Sequence, residues 1–308
     1  LLRGQSRIGN LWRNAVKFGV LPLQVRRLRV LHRQEPQATY HAHTMYYMVA
    51  CWLADIPFVG TPQGSEILVR PRRSRIYRWF ATRALRAARA VTVDSEAMRV
   101  GVQALSGREA MVVQNGIDVA AVRDESAHGA VVPRSGILSI RGLTPLYRID
   151  TIVRARNATP GAPPITFVYP FWDEGARGLV RAAMRPDDRD LGRLPKAELY
   201  TAMRRAALVV SIPSSDSSPR SVYEAIFSGA AVAVTHHPFV DALPEDMRAR
   251  LLLVDLGDPA WLASALARAQ AITAIPYRPS EAALDLFDQR RSMARIADAF
   301  YGAPPAPT

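Results

Sequence analysis

Short apolar runs alternate with stretches of helical periodicity from about residue 130 onward. The apolar runs, rich in Val, Ile and Leu, are residues 136–141, 165–169, 208–212, 231–235 and 251–255. The helical stretches are residues 149–157, 175–184, 196–206, 219–228 and 259–271. Strands that are apolar throughout are typical of sheets covered by helices on both faces. The order of elements therefore predicts a parallel, doubly wound α/β sheet.

The first 130 residues repeat this pattern less completely. Residues 39–43, 57–61, 90–93 and 110–113 are predicted strands, and residues 44–54 and 75–88 are predicted helices. The polar, turn-rich stretch 118–134 is interpreted as a linker, and one final helix is predicted over residues 280–301. These patterns predict a first domain over residues 1–130, a second over 131–280, and a C-terminal helix with a tail over 281–308.

Composition excludes several classes of protein. The chain has 308 residues, of which 49% are hydrophobic and 22% charged, so a disordered polycation is excluded. Its single cysteine, Cys51, allows no internal disulfide and favours a reducing compartment. No apolar run is long enough to span a bilayer, and the start lacks a signal-peptide pattern. The formal charge of +13 indicates an anionic partner: nucleic acid, a membrane surface or a phosphate-bearing substrate.

The segment 208–235 carries the strongest candidate chemistry. Pro219 suits the first turn of a helix with Ser218 as its N-cap. The open N–H groups of that turn and the helix dipole favour a phosphate. Asp216 lies in the loop after a strand, and Glu224 follows one to two helical turns into the helix. Two carboxylates at such different depths can accept hydrogen bonds from hydroxyls on two separate rings. The residues alone leave open the alternative that both are ordinary surface acids.

This segment resembles the acid-x7-Glu motif of glycosyltransferase family 4, whose members are retaining enzymes with the GT-B fold. The following Ala225-Ile226-Phe227-Ser228-Gly229 is similar to the family's "EAMA-x-G" continuation. The resemblance implies that Asp216, where Glu is commoner, holds hydroxyls of the donor sugar and that Glu224 holds the ribose. The open N–H groups near the N-terminus of this helix are then expected to bind the donor diphosphate, at residues Ser217, Ser218, Pro219, Arg220 and Ser221.

The stretch 139–150 resembles the family's "GR-L-x-P-x-K-G" loop. By this match Arg141 meets the donor diphosphate. Tyr147-Arg148 stands where the family has its lysine, so Arg148 is the weaker candidate for a second cation. Guanidinium groups suit this role because they bind phosphate bidentately and stay charged.

The front half resembles the family at four further points. His41 and His43 match an "HxH" at a strand end, and alternate strand residues face one side. A metal site is rejected there because no Cys, Asp or third His lies at ligand spacing nearby. Residues 60–66 resemble the loop that faces the reacting sugar, with Gln63 in place of the usual His, followed by Gly64. Gln63 therefore cannot titrate but can donate a neutral hydrogen bond. Residues 93–95 and 113–118 match a strand end and an "NG-x-D" segment.

The resemblance implies two Rossmann-like domains facing a cleft, with the C-terminal helix packing back toward the first domain. The family's first strand and its Gly-rich turn are not found, so the first domain is expected to lack its N-terminal strand. Aromatic residues replace the family's "G-x-G" turn at 169–174 and are interpreted as a hydrophobic lid or a stacking surface. The "DxD" spelling of Asp188-Arg189-Asp190 is interpreted as a solvated loop.

Basic residues concentrate in two clusters in the front half. The first contains Arg3, Arg7, Arg13, Lys17, Arg26, Arg27, Arg29 and Arg33, and the second contains Arg70, Arg72, Arg73, Arg75 and Arg78. Apolar residues at helical spacing within the first cluster predict a basic amphipathic helix that lies on an anionic membrane. The alternative is a set of ordinary solvated helix faces. No helix-turn-helix, zinc-finger or RNP-like pattern supports nucleic acid binding.

These observations together favour a metal-independent retaining glycosyltransferase that uses a nucleotide-diphosphate sugar and needs no other cofactor. The expected acceptor is a lipid-linked or cell-envelope saccharide precursor, reached from the cytoplasm at the inner face of the membrane. Three alternatives stay open: a GT-B-fold epimerase, a non-catalytic sugar-nucleotide-binding protein and, less favoured, a nucleic-acid-binding protein.

Overall fold

The chain forms two compact α/β units. The computed structural model describes residues 7–114, 116–123 and 133–301, with side chains described from residue 19 onward. The first unit comprises Leu1–Val113 and Ile296–Thr308, and the second comprises Gln114–Arg295. This division differs from the predicted boundary at residue 130. The basic residues Arg3, Arg7, Arg13 and Lys17 of the first cluster lie outside the described side chains.

The first unit contains a parallel sheet of four strands in the order β1-β2-β3-β4. The strands are β1 (Tyr40–His43), β2 (Phe58–Thr61), β3 (Ala90–Val93) and β4 (Met111–Val112). The helices are α1 (Arg7–Gln34), α2 (Met45–Ala54), α3 (Gly64–Leu68), α4 (Arg70–Arg73), α5 (Arg75–Ala87) and α6 (Glu96–Ser106). All four predicted strands are therefore confirmed, with ends that differ by one residue at most.

Fully buried apolar side chains hold the helices of the first unit on its sheet. Met48 of α2, Leu85 of α5 and Met98 of α6 have no exposed surface. Met48 packs directly on Gly60 of β2, where a Cβ atom would collide with the methionine side chain. This close contact explains why a glycine stands inside a buried strand.

The second unit contains a parallel sheet of six strands in the order β10-β9-β8-β5-β6-β7. The strands are β5 (Ile137–Ser139), β6 (Ile165–Val168), β7 (Arg189–Gly192), β8 (Leu208–Ser211), β9 (Val232–Val234) and β10 (Leu251–Leu253). Because β5 lies between β6 and β8, the direction of winding reverses at the β5–β8 pair. Ligands of doubly wound sheets bind in the crevice at this reversal, at the carboxyl ends of the strands.

Helices cover both faces of the second sheet. The α-helices are α7 (Val119–Arg123), α8 (Ile149–Ala158), α9 (Glu174–Ala183), α10 (Lys196–Arg205), α11 (Arg220–Phe227), α12 (Pro238–Asp241), α13 (Glu245–Arg248), α14 (Trp261–Ala274), α15 (Glu281–Phe287) and α16 (Gln289–Phe300), and a 3₁₀ helix covers Pro145–Tyr147. Within β8, Val209 packs into one core and Val210 into the other. The prediction of strands buried on both faces is confirmed.

The interpretation of residues 118–134 as a linker is wrong for the part that the structure describes. Helix α7 lies in this stretch, and its residues Val119 and Val122 are buried in the core of the second unit. Val122 has no exposed surface. Burial of these apolar side chains explains why residues 114–123 cluster with the second unit rather than the first. Residues 124–132 lie outside the described part of the chain.

The predicted single C-terminal helix is broken at Asp288, between α15 and α16. Asp288 has extended backbone angles of φ −70° and ψ 122°. Ile117 N donates to Phe287 O at 2.7 Å, and Gln289 N donates to Ile117 O at 2.9 Å. The helix breaks because its backbone groups pair with the segment at Ile117 at this point. From Ile296 onward the chain clusters with the first unit, where Arg89 Nη2 donates to Phe300 O at 3.1 Å.

The interpretation of residues 188–190 as a solvated loop is wrong. Asp188 precedes the edge strand β7, and its side chain and that of Arg156 are both fully buried in an ion pair. Asp188 also accepts from the backbone N–H groups of Ile165 and Arg185, each at 2.7 Å. Asp190 accepts from Tyr169 Oη at 2.7 Å. Both carboxylates therefore stabilise the edge of the sheet.

Charge is divided unevenly between the two units. The first contains 18 Arg and Lys against 7 Asp and Glu, a net charge of +11, whereas the second contains 22 against 20, a net charge of +2. In the part of the chain that the structure describes, none of the helices has both the length and the apolar character needed to cross a membrane.

Candidate active site

Arg141 and Asp216 meet at the carboxyl edge of the six-stranded sheet, where the winding reverses. Arg141 follows β5, and Asp216 lies in the loop after β8. Nη2 of Arg141 forms an ion pair with Oδ2 of Asp216, and Nη1 donates to Ser221 Oγ at 2.9 Å. Each of the two charged side chains is 12% exposed. Three residues that the sequence selected separately thus form one cluster.

The pairing of Arg141 with Asp216 was not expected from the sequence. The two residues were assigned to different parts of a ligand, yet each is the other's charge partner. A guanidinium carries five N–H donors and a carboxylate has two acceptor oxygens. The contacts with Asp216 and Ser221 leave further N–H groups on Arg141 and the second oxygen of Asp216. The cluster can therefore bind an anion and a hydroxyl without being dismantled.

The start of α11 differs from the prediction. Ser218 is not the N-cap, because the helix begins at Arg220 with Pro219 as its cap and no side-chain cap bond. Pro219 adopts φ −79° and ψ 86°, and Ser218 Oγ instead donates to Gln114 Oε1 at 2.8 Å. Ser217 is half-buried in the same loop. The N–H groups of Arg220 and Ser221 in the first helical turn have no acceptor within the helix, so they supply donors at this edge.

Glu224 is buried on α11 and is only 7% exposed. Its Oε1 accepts from Tyr200 Oη at 3.2 Å and from Arg220 Nε at 3.3 Å. Burial and the neighbouring Glu224 raise the pKa of Tyr200 to about 12, so the phenol stays protonated and donates. Both contacts fall on Oε1, so neither of them uses Oε2.

Arg148 occupies an unusual backbone position. It adopts φ 52° and ψ 39°, in the left-handed region, immediately before α8. Glycine is the residue that takes this conformation most readily. Among the residues that the structure describes, none forms an ion pair with Arg148. Its half-buried guanidinium remains a candidate second cation beside Arg141.

Tyr147 was not selected from the sequence as a site residue. Its ring lies under the guanidinium of Arg141, whose Cζ is 4.6 Å from the ring centroid. The only available signal was an aromatic residue six positions after the arginine, at the place where the resemblance calls for lysine. An aromatic ring at that point does not by itself indicate which side chain it contacts.

The aromatic residues at 169–172 pack against the loop after β5. Leu143 N donates to Phe171 O at 3.1 Å, and Asp173 N donates to Leu143 O at 2.8 Å. Tyr169 is buried, whereas Phe171 and Trp172 are 47% and 44% exposed. The Phe171 ring lies on Gly142, where any Cβ atom would collide with it. Phe171 therefore packs on the residue that follows Arg141.

In the first unit, His41 and His43 face the same side of β1, as predicted. Their rings stack with centroids 4.3 Å apart. His41 Nε2 lies 2.7 Å from Thr61 Oγ1, and its Nδ1 contacts Tyr301 Oη. Burial, assisted by the neighbouring His43, lowers the pKa of His41 to about 4. His41 is therefore a neutral, hydrogen-bonded ring at pH 7, whereas His43 is exposed at the strand end.

Gln63 and Gly64 lie at the start of α3. Gln63 is the N-cap of this helix and is exposed, and Gly64 is its first residue. The buried Glu66 fixes the loop, since its Oε2 accepts from Met45 N at 2.7 Å and from Gln63 N at 3.0 Å. Gln63 thus presents its amide from a well-anchored turn. Asn115, from the predicted Asn-Gly turn, lies outside the described residues.

Comparisons with known proteins agree with this architecture. Residues 4–121 match the model of the family described as Glycosyltransferase Family 4. No curated protein matches the sequence. Sucrose-phosphate synthase from Thermosynechococcus elongatus has a similar solved structure, with a TM-score of 0.70 and 16% identity, covering 92% of this chain and 78% of that one.

Two further solved structures have the same fold. Anabaena HepE in complex with UDP gives a TM-score of 0.68 and 18% identity, covering 91% of this chain and 82% of that one. An α,α-trehalose-phosphate synthase (UDP-forming) from Burkholderia vietnamiensis gives 0.67 and 15%, covering 92% and 79%. The predicted GT-B fold and the resemblance to its glycosyltransferases are confirmed.

Proposed function

We propose that this chain, which has the GT-B fold, is a retaining glycosyltransferase that takes its sugar from a nucleotide-diphosphate donor bound by the second unit. The observation that supports this most directly is the cluster of Arg141, Asp216 and Ser221 at the reversal of the six-stranded sheet. A cation, open helix N–H groups and a carboxylate with a free oxygen meet there. This combination suits a diphosphate joined to a hydroxyl-rich ring.

Each residue of the cluster has a distinct part in the proposed reaction. Arg141, with Arg148 and the first-turn N–H groups of α11, stabilises the negative charge that develops on the leaving diphosphate. With these donors, the proposed reaction needs no metal ion. Asp216 orients hydroxyls of the donor sugar, and Glu224 binds the ribose through Oε2.

The proposed transfer needs no nucleophile from the protein. The bond from the anomeric carbon to the diphosphate oxygen breaks, and a new bond forms on the same face to the acceptor oxygen. The acceptor hydroxyl gives its proton to the departing phosphate oxygen. Atoms and charge then balance without a covalent enzyme intermediate, and the configuration at the anomeric carbon is retained.

The first unit is proposed to bind the acceptor. His43, Gln63 and Gly64 lie at the carboxyl ends of β1 and β2, where exposed polar groups can meet a saccharide hydroxyl. The neutral His41 supports this surface from below through its contacts with Thr61 and Tyr301. The uncharged amide of Gln63 serves as a hydrogen-bond donor and not as a proton acceptor.

A lipid-linked acceptor at the inner face of the cytoplasmic membrane is the second part of the proposal. Arg72, Arg73, Arg75 and Arg78 on α4 and α5 are exposed beside Ile76 and Trp79, which are 74% and 50% exposed. Mixed basic and aromatic surfaces bind anionic bilayers by charge and by partial insertion of the rings. The net charge of +11 on this unit has the required sign.

Donor binding is tested by a thermal-shift screen with UDP-, GDP- and ADP-glucose, followed by titration of the nucleotide that stabilises the protein. Glu224→Gln keeps the size of the side chain but removes its charge, so affinity should fall about ten-fold or more. Glu198→Gln, an exposed acid on α10, is the matched control. If Glu224→Gln transfers sugar at the wild-type rate, the proposed donor site is wrong.

Product analysis with and without a saccharide acceptor distinguishes the alternatives. A transferase forms a glycoside with retained configuration only when acceptor is present. An epimerase changes the donor without an acceptor, and a non-catalytic binding protein changes nothing. Either of the last two results would contradict the proposed reaction.

Membrane binding is tested by co-sedimentation with vesicles of phosphatidylcholine containing phosphatidylglycerol. Replacing Arg72, Arg73 and Arg75 by Gln should reduce binding by more than ten-fold, since each basic residue near such a surface contributes about 1 kcal/mol. The same charge change at the exposed Arg154, Arg248 and Arg268 of the second unit is the control. Equal losses in both triple variants would contradict a specific membrane surface.

A further inference from the structure

The guanidinium of Arg141 is held by an aromatic ring and along part of its edge. Its Cζ atom lies over the Tyr147 ring, 4.6 Å from the ring centroid. Asp216 and Ser221 occupy two positions along the edge. A guanidinium donates its hydrogen bonds only in its own plane. Arginine guanidinium groups stack on aromatic faces. Such stacking restricts the plane of the group without using any N–H group.

Tyr147 is itself held by its surroundings. It ends the 3₁₀ helix Pro145–Tyr147, and its backbone N–H donates to Thr144 O at 3.1 Å. Its ring lies 6.0 Å from that of Phe171, centroid to centroid. Phe171 is fixed in turn by its packing on Gly142 and by the backbone bond from Leu143. The loops after β5 and β6 thus support the ring from behind.

We propose that Tyr147 is a positioning residue that sets the plane of the Arg141 guanidinium, so that its remaining N–H groups point to the donor diphosphate. This inference rests on the proposed function for the role of Arg141. A ring at this position adds no second charge to the site. It fixes the orientation of the Arg141 guanidinium. Less conformational entropy is then lost when this group binds a phosphate bidentately.

The test uses inorganic pyrophosphate and UDP as probes on the full chain. Tyr147→Leu should weaken the binding of both probes by a similar factor, about five- to ten-fold, because the effect lies at the phosphates. Tyr147→Phe keeps the ring and should bind both within two-fold of wild type. In an Arg141→Ala background, Tyr147→Leu should cause no further loss. A loss confined to UDP would mean that the ring contacts the nucleoside, and the inference would be overturned.

A second measurement does not depend on any ligand. In ¹H–¹⁵N spectra of arginine Nε–Hε groups, with Arg141 assigned from Arg141→Lys, the Tyr147 ring should shift the Arg141 signal by its ring current. The shift should persist in Tyr147→Phe and vanish in Tyr147→Leu. If it is unchanged in Tyr147→Leu, the inference is wrong even if UDP binds. If the shift vanishes but wild-type protein binds neither probe, the positioning contact stands and the proposed donor site fails.

Discussion

Arg148 adopts a backbone conformation that favours glycine, with φ 52°. A side chain in the left-handed region costs about 1–2 kcal/mol, part of which is offset by the flexibility that glycine adds to the unfolded chain. Arg148→Gly should therefore raise the free energy of unfolding by roughly 0.5–1 kcal/mol. It should also weaken UDP binding about five-fold by removing a cation.

The control for this prediction is Arg148→Ala, which removes the charge but retains the unfavourable backbone position. It should weaken UDP binding equally without any gain in stability. Urea denaturation measures the free energy of unfolding, and calorimetric titration measures UDP binding. A destabilised Arg148→Gly variant would show that the guanidinium contributes more to folding than the backbone conformation costs.

The pairing of Asp216 with Arg141 leads to opposite effects on binding and transfer. Asp216→Asn removes a negative charge beside the proposed diphosphate site, so UDP should bind about three- to ten-fold more tightly. Transfer should fall by about 10- to 100-fold, because a charged hydrogen bond to the donor sugar is lost. Titration with UDP measures the affinity, and steady-state kinetics with the donor measure the rate of transfer. A parallel loss of both properties would mean that Asp216 serves chiefly to hold Arg141.

The sequence supplied the candidate residues of the site, but not their contacts. Arg141 and Asp216 each follow a strand, and Glu224 lies on the helix after Asp216; sequence patterns mark these elements clearly. The ion pair of Arg141 with Asp216 joins residues 75 positions apart, and the contact with Tyr147 depends on how the loop after β5 folds. Such contacts follow from tertiary packing, which no local pattern encodes.

At the scale of secondary-structure elements, the pair of Arg156 and Asp188 joins helix α8 to the start of β7. Both side chains are fully buried. Removing one partner leaves an uncompensated buried charge, which costs about 3–5 kcal/mol. Asp188→Ala should therefore lower the free energy of unfolding by about this amount in urea denaturation.

Helix α8 also supplies the matched control for this prediction. Arg154 pairs with Asp150 at 2.7 Å, but the two side chains are 69% and 43% exposed. Arg154→Ala should cost about 0.5 kcal/mol or less. If the two variants were equally stable, the buried pair would contribute no more than a surface pair does.

The strands of the second unit that were predicted correctly are the ones that are apolar and largely buried. Strands β5, β6, β8, β9 and β10 are apolar runs, and each was predicted within two residues of its ends. Strand β7 has the sequence Arg189-Asp-Leu-Gly192 and was missed, because a polar strand at a sheet edge lacks the apolar signature. The break at Asp288 was missed for a different reason. No Gly or Pro marks it, and it results from pairing with the distant Ile117.

At the scale of the whole molecule, the two proposed binding surfaces should respond differently to salt. The arginines on α4 and α5 are exposed, whereas the side chain of Arg141 is 12% exposed and is screened less. Raising NaCl from 50 to 300 mM should abolish most vesicle binding but weaken UDP binding only about two- to five-fold. Co-sedimentation measures vesicle binding, and calorimetric titration in the same buffers measures UDP binding. Equal sensitivity would contradict the assignment of separate surfaces.

The fold class was predictable because its evidence is distributed over the whole chain. Alternating strands and helices indicate a doubly wound sheet even where individual ends are misplaced. The predicted boundary at residue 130 and the division after Val113 differ by a stretch in which polar turns outnumber the two buried apolar residues of α7. A short amphipathic helix in a polar stretch carries too little signal to show which core it joins.

The uneven division of charge leaves most of the net positive charge on one of the two units. One unit carries +11 and the other +2. The potential of an anionic bilayer decays over about 8–10 Å at physiological ionic strength. In the proposed membrane attachment, this field would attract the first unit more strongly than the second before contact. Fewer encounters would then end in an unproductive orientation, so the charge asymmetry would act on the rate of the proposed membrane binding as well as on its strength.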